Sequence, residues 1–187
     1  DVAHGIAPNG GGTLVNQYSL LFDISYPNTG IWRTLYSANP DVGADDGEYF
    51  LHPGDESWGV GDLTYTDNAT TGEFFSSPDT WYRAVITFDP GNPVNLYING
   101  TPTGVHNSTS IDDRFALDTV LHILGDNDGD DGLVNVSNFA IYNSALSGAE
   151  VSALGGAGRI IVPEPGAVVL TLLAMMGMVG IRRRMTA

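Results

Sequence analysis

Carboxylates are the residues of this 187-residue chain whose grouping could do chemistry, and they gather in two short stretches. The first is Asp45-Asp46-Gly47-Glu48 and the second Asp126-Asn127-Asp128-Gly129-Asp130-Asp131-Gly132, each at the end of an apolar run. Crowded carboxylates repel one another, and a hard cation with roughly six to eight oxygen ligands relieves that repulsion. Calcium is the expected cofactor, with Asp45, Asp46, Asp126, Asn127, Asp128 and Asp130 as its candidate ligands. The second stretch is not an EF-hand: its sixth position is Asp131 instead of Gly, and its twelfth is Ser137 instead of Glu. The competing reading makes both stretches solvated turns, in which Asp and Gly are favoured for backbone reasons.

A second candidate set is aromatic. Trp32, Tyr49, Trp58 and Tyr65 form either a platform on which sugar rings stack or part of a sandwich core, since large aromatics serve both uses. Catalytic patterns are missing. Asp55 and Glu56 are adjacent, and neighbours on a strand point to opposite faces, so they cannot flank one glycosidic bond. His4, His52, His106 and His122 are scattered without a Ser or Cys context, and the chain has no Cys, which removes thiolate catalysis and cysteine-ligated zinc. The expectation is a protein that is not an enzyme. Twenty-two acids against seven Arg and no Lys give a net charge of −15, and such a chain repels phosphate backbones, so no nucleic-acid partner is expected.

The elements that must position these residues are strands. Tyr18–Ser25, Ile31–Tyr36, Glu48–Leu51, Trp81–Phe88, Val94–Ile98, Val120–Leu124 and Leu133–Tyr142 are rich in branched and aromatic residues and bounded by Gly, Pro, Asn or Asp. Val94, Leu96 and Ile98 alternate with Asn95 and Tyr97, and Asn99-Gly100 supplies a two-residue hairpin turn back through Thr103 to His106. The one helix signal is Ser147-Gly-Ala-Glu150 opening Val-Ser-Ala-Leu154, a capping box. At roughly 150 residues per domain, residues 1–154 form one domain. Many short strands at this spacing close their edges as an all-β, two-sheet antiparallel jelly-roll sandwich.

The C-terminal stretch is of another kind. Residues 155–161 open with Gly155-Gly-Ala-Gly158 and read as a linker. Beyond it come Pro163-Glu164-Pro165, an uncharged apolar run over 166–181, and Arg182-Arg183-Arg184. As a helix, 166–181 spans ~24 Å, slightly short of a ~30 Å hydrocarbon core, and snorkelling Arg side chains cover the deficit. A separate transmembrane helix is expected, its Arg flank on the cytoplasmic side. The order of Pro-Glu-Pro, apolar helix and Arg cluster over 162–187 resembles the PEP-CTERM sorting signal of bacterial exported proteins. That resemblance implies export, transient anchoring in the inner membrane, processing by an exosortase near Pro163-Glu164-Pro165, and release to the cell surface or extracellular matrix. Residues 1–13 have neither a basic n-region nor an apolar h-region, so the expected signal peptide would lie upstream of Asp1.

The body carries a second resemblance. Trp81-Tyr-Arg-Ala-Val-Ile-Thr-Phe-Asp89, Asn95-Leu-Tyr-Ile-Asn-Gly100 followed by Gly104, and Phe139-Ala-Ile-Tyr-Asn-Ser-Ala-Leu-Ser147 leading into Ala149-Glu-Val are similar to the laminin G-like branch of the concanavalin A-like lectin/glucanase superfamily, over roughly residues 14–154. Bacterial members often have an Asp-Glu pair before the last strand; here it is Ser137-Asn138. The pentraxins, which share the superfamily's jelly roll, look similar in the acidic loops: Asp45-Asp46 and Asn127-Asp128 stand where their calcium ligands do. The glycosidases of this fold use Glu-x-Asp-x-x-Glu, a string this chain lacks. The resemblance implies a calcium-dependent lectin-like domain whose partner is a glycan or extracellular polysaccharide. The alternatives are a structural matrix protein without ligand and a degenerate glycan hydrolase.

Overall fold

Tyr18, Leu20, Phe22 and Ile24 alternate with Ser19, Leu21, Asp23 and Ser25, so an extended chain here has one wholly apolar face. The segment forms a strand with all eight residues buried. The computed structural model describes residues 2–28, 30–38, 47–54, 57–60, 74, 76–125 and 129–158. Its elements are β1 (Val2–Ala3), β2 (Tyr18–Ser25), β3 (Arg33–Ser37), β4 (Glu48–Leu51), β5 (Trp58–Val60), β6 (Tyr82–Phe88), β7 (Pro93–Ile98), β8 (Thr101–Ser108), β9 (Val120–Ile123), β10 (Asn135–Tyr142) and α1 (Gly148–Leu154).

Two five-stranded sheets form, ordered β1-β9-β3-β4-β5 and β10-β2-β6-β7-β8, and the strand pairs in both are antiparallel. They pack face to face. Leu20, Phe22, Ile24, Ala84, Ile86, Phe88 and Leu96 from one meet Leu35, Tyr36, Tyr49, Leu51, Trp58 and Leu121 from the other in a single core. Fully burying each of the larger side chains contributes about 1.5–3 kcal/mol. The all-β, two-sheet antiparallel sandwich expected from the sequence is the observed fold, and its arrangement is consistent with a jelly roll.

Turn chemistry sets the strand register. Asn99 and Gly100 both adopt positive φ, 52° and 80°, as a two-residue hairpin loop requires. α1 starts from Ser147, whose hydroxyl accepts from the Glu150 amide while the Glu150 carboxylate accepts from the Ser147 amide. Its Val151 buries against Leu21, Val85 and Tyr97 on the outer face of the β2 sheet. At the opposite edge Asp112, at φ 53°, accepts from the Asn16 side chain and from the Thr13 and Leu14 amides, tying residues 13–16 to the turn at 112. Those donors hold its carboxyl well below the usual carboxylate range.

Residues 155–158, expected as linker, are instead bound to the body. Gly158 donates to Asp23 and Ala157 to Asn99, so the domain extends to residue 158. Among the described residues no helix is long and apolar enough to cross a membrane. The expected span over 166–181, together with Pro163, Glu164, Pro165, Arg182, Arg183 and Arg184, lies outside the described residues.

Candidate functional site

The acidic stretches flank one strand, β3. Ala38, just past its end, donates to Gly47 across the first stretch. Leu124 donates to Leu35, Thr34 to Asp130 and Gly132 to Trp32, which brackets the second stretch midway along β3. At ~3.3 Å per residue, Leu35 and Ala38 are roughly 10 Å apart. Fully buried Arg33 fastens the second stem: its guanidinium donates to the Ile31, Leu133 and Asn28 carbonyls and lies 4.7 Å over the Tyr26 ring. Gly132 is required here, because a Cβ would stand 2.5 Å from the Trp32 carbonyl oxygen. Of the candidate calcium ligands only Asp130 is described; Asp45, Asp46, Asp126, Asn127 and Asp128 lie outside the described residues. Among the described residues no three His, Cys, Asp or Glu side chains converge on one point.

The aromatic platform requires correction. Tyr49 is fully buried and Trp58 is 4% exposed, with ring centroids 5.6 Å apart in the core and Phe74 and Tyr82 beyond. Trp32 is on the other side of the sheet, edge-on to Phe50 at 5.5 Å and to His52 at 5.0 Å. Tyr49 and Phe50 are consecutive on β4 and necessarily face opposite ways, so Tyr49 cannot share a surface with Trp32. Tyr65 lies outside the described residues.

The outer face of the β2 sheet carries polar groups that sequence reasoning missed, arranged as rows across the strands. Asn138, Asp23 and Arg83 form one row; Ala140, Leu21, Val85 and Tyr97 the next; Tyr142, Ser19, Thr87 and Asn95 the third. In the first row Arg83 donates to both Asp23 oxygens, at 2.7 and 2.8 Å, and Asn138 donates to Asp23 at 2.6 Å. The same guanidinium donates to the Leu154 and Gly158 carbonyls, which fastens residues 154–158. Burial pushes the Asp23 carboxyl up, but the bonds from Arg83, Asn138 and the Gly158 amide outweigh it and leave the carboxyl below its ordinary value. A carboxylate in place of Asn138 would face Asp23.

α1 covers the second row. Beside the third, Ser19 donates to the Ser144 carbonyl and accepts from the Leu146 amide, raising a wall next to Thr87 and Asn95. A groove of about 390 Å³ remains, lined by Thr87, Asp89, Asn92, Asn95, Tyr97 and Ser147 among others. The signal for it was the alternation of Thr87 with Asp89 and Asn95 with Tyr97, which by itself reads as an ordinary solvent face.

Residues 5–152 match the family model described as the concanavalin A-like lectin/glucanases superfamily. The chain belongs to this superfamily. Solved structures similar to this lectin/glucanase member include the sialidase of Trypanosoma rangeli, at 18% identity and a TM-score of 0.53, over 74% of this chain and 22% of that one. The botulinum neurotoxin serotype D binding domain matches at 16% identity and a TM-score of 0.51, over 74% of this chain and 36% of that one. These likenesses show the fold; the chain spans about a fifth of the sialidase and about a third of the toxin domain. No curated protein matches it. The sialidase matches overturn the expectation that the chain is not an enzyme: enzymes are among the proteins with this fold, so the lack of a Glu-x-Asp-x-x-Glu string does not place the chain outside catalysis.

Proposed function

We propose that the chain is an exported bacterial protein of the cell surface or extracellular matrix whose sandwich domain binds carbohydrate with the help of calcium. The observation that carries the carbohydrate reading is membership of the lectin/glucanase superfamily over residues 5–152. A binding domain of a neurotoxin with the same fold is in keeping with it. Export rests on the sequence order of Pro163-Glu164-Pro165, the apolar run and Arg182-Arg183-Arg184, with an exosortase as processing partner and the membrane as temporary anchor.

The calcium reading rests on donor chemistry. Asp45, Asp46, Asp126, Asn127, Asp128 and Asp130 offer only oxygen, the ligand set of a hard cation. These residues would hold the ion, and both stems spring from β3. A bound ion would cancel the mutual repulsion of the carboxylates and offer open positions to sugar hydroxyls. The test is a glycan array probed in calcium and again in chelator. Binding to at least one glycan that weakens severalfold in chelator is the expected result; an array blank under both conditions would leave a structural matrix protein. The second reading, a glycan hydrolase, is favoured by the sialidase matches and is tested by release of reducing sugar from β-glucans and of sialic acid from sialyllactose.

A further inference from the structure

Large apolar side chains left in water gather at one end of the sandwich. Eight are exposed among the described residues, and five of them, Ile31, Trp81, Leu124, Leu133 and Val136, share that end. It is where β2 ends and where β3, β6 and β10 begin. Val136 and Tyr82 both pair with Ile24, so Val136 and Trp81 flank the close of β2. Leu133 and Ile31 meet beside the first residue of β3, their carbonyls both accepting from the Arg33 guanidinium. Leu124 follows β9, its amide bonded to Leu35. Val2, Ile111 and Val120 belong to the other end, where β9 begins and the Asp112 turn holds residues 13–16. Single apolar residues on a surface are ordinary, whereas a gathering of them marks what the surface touches.

The chain leaves the domain near this end. Gly158 donates to Asp23 and accepts from Asn138 and Arg83, and Asp23 is two positions short of the last residue of β2. From Gly158 to the apolar run opening at residue 166 are eight steps of chain, at most ~29 Å when fully extended. A domain of this size is roughly 40 Å across. A tether shorter than the domain is wide, fastened near one end, keeps that end turned toward whatever holds the run. The exposed charges at this end are carboxylates, Asp79 and Asp131, with half-buried Asp130 beside them, whereas Arg33 and Arg83 are buried. Carboxylates are drawn to the cationic group of a zwitterionic lipid headgroup and are repelled by an anionic headgroup.

We propose that this end of the domain rests on a zwitterionic lipid surface while the tail is inserted, with Trp81, 45% exposed, and Leu133, 65% exposed, among the headgroups, where Trp is favoured. The inference rests on the tail being the membrane anchor of the proposed function. The test uses the full chain in vesicles. Because the chain has no Cys, Leu133→Cys and Ile111→Cys, exposed positions at opposite ends, each accept a single fluorophore. In chelator, phosphatidylcholine vesicles with a nitroxide on the headgroup should quench the label at 133 about threefold more than the label at 111, since only the former lies in the interface. Added phosphatidylglycerol should shrink that difference. Should Leu133→Cys lower the melting temperature, tryptophan emission decides instead: its quenching by the same vesicles should fall about twofold in Trp81→Phe. Equal quenching at 133 and 111 in a chain that floats with the vesicles, or in the fallback equal quenching with and without Trp81, would overturn the resting face and leave the tail as an anchor. A chain that does not float with the vesicles would overturn the anchor and this inference with it. Equal or stronger quenching at 133 with phosphatidylglycerol present would overturn the zwitterionic assignment.

Discussion

Asp23 and Arg83 show how single residues decide stability here, since they sit side by side on the outer sheet face with essentially no exposure. Replacing Arg83 with Leu leaves a buried carboxylate without its cation, and stability should fall by about 3–5 kcal/mol in denaturant titration. The pH dependence has a fixed sign. Because the folded Asp23 carboxyl lies below its ordinary value, its contribution is complete above about pH 4 and fades as pH drops through the lower, folded value. Melting temperature should therefore decline on acidification below about pH 4, and Asp23→Asn should flatten part of that decline, with Asp112 and Glu150, also lowered, accounting for more of it. A decline of unchanged steepness in Asp23→Asn would show that the ion pair is not what titrates.

Elements whose pattern is long and strong were legible in the sequence. β2 and β4 begin and end where their apolar runs do, and the capping box of α1 forms from the residues that spell it. β1 and β5, of two and three residues, are too short to display a period and exist only because a neighbour presents an edge to them. The groove was illegible for a different reason: Thr87, Asp89, Asn95 and Ser147 come from separate stretches of the chain, and the pairing of β6 with β7 together with the seating of α1 gathers them. The segment after α1 looked like a linker because glycines have nothing to pack, yet Arg83 takes hold of its Gly158 carbonyl as well as that of Leu154 at the end of α1. A chain ending at Gly158 should therefore melt like the body of the full chain. One ending at Ser152 strips partners from a buried guanidinium and should melt lower by several degrees, at about 2–4 °C per kcal/mol. Equal melting of the two would remove residues 153–158 from the domain.

At the scale of the whole molecule, two predictions concern calcium and destination. An ion bound only to the native state raises stability by RT ln(1 + [Ca]/Kd), ~2.7 kcal/mol at a hundredfold excess over Kd. Calcium should raise the melting temperature, magnesium much less, and Asp46→Ala or Asp128→Ala should erase most of the rise. A melting curve indifferent to chelator would return both acidic stretches to ordinary turns. On the proposed sorting reading of the tail, Glu164→Gln, or neutral residues at 182–184, should leave the domain folded but impair processing or membrane retention, and unaltered release in both variants would sink that reading. The topology adds a consequence for how the chain reaches its folded state. β2 is flanked by β6 and β10, whose paired residues follow it by about sixty and more than one hundred positions, so its eight residues wait unpaired until β6 has emerged, and one of its edges stays open until nearly the whole domain has. A bare apolar strand is a template for aggregation, and the single charge in its middle, Asp23, is the kind of gatekeeper that blunts it. The carboxylate that later anchors the ion pair thus first acts as a guard: Asp23→Asn should lose more protein to aggregation on refolding from denaturant, increasingly so as chain concentration rises, than its equilibrium stability alone accounts for.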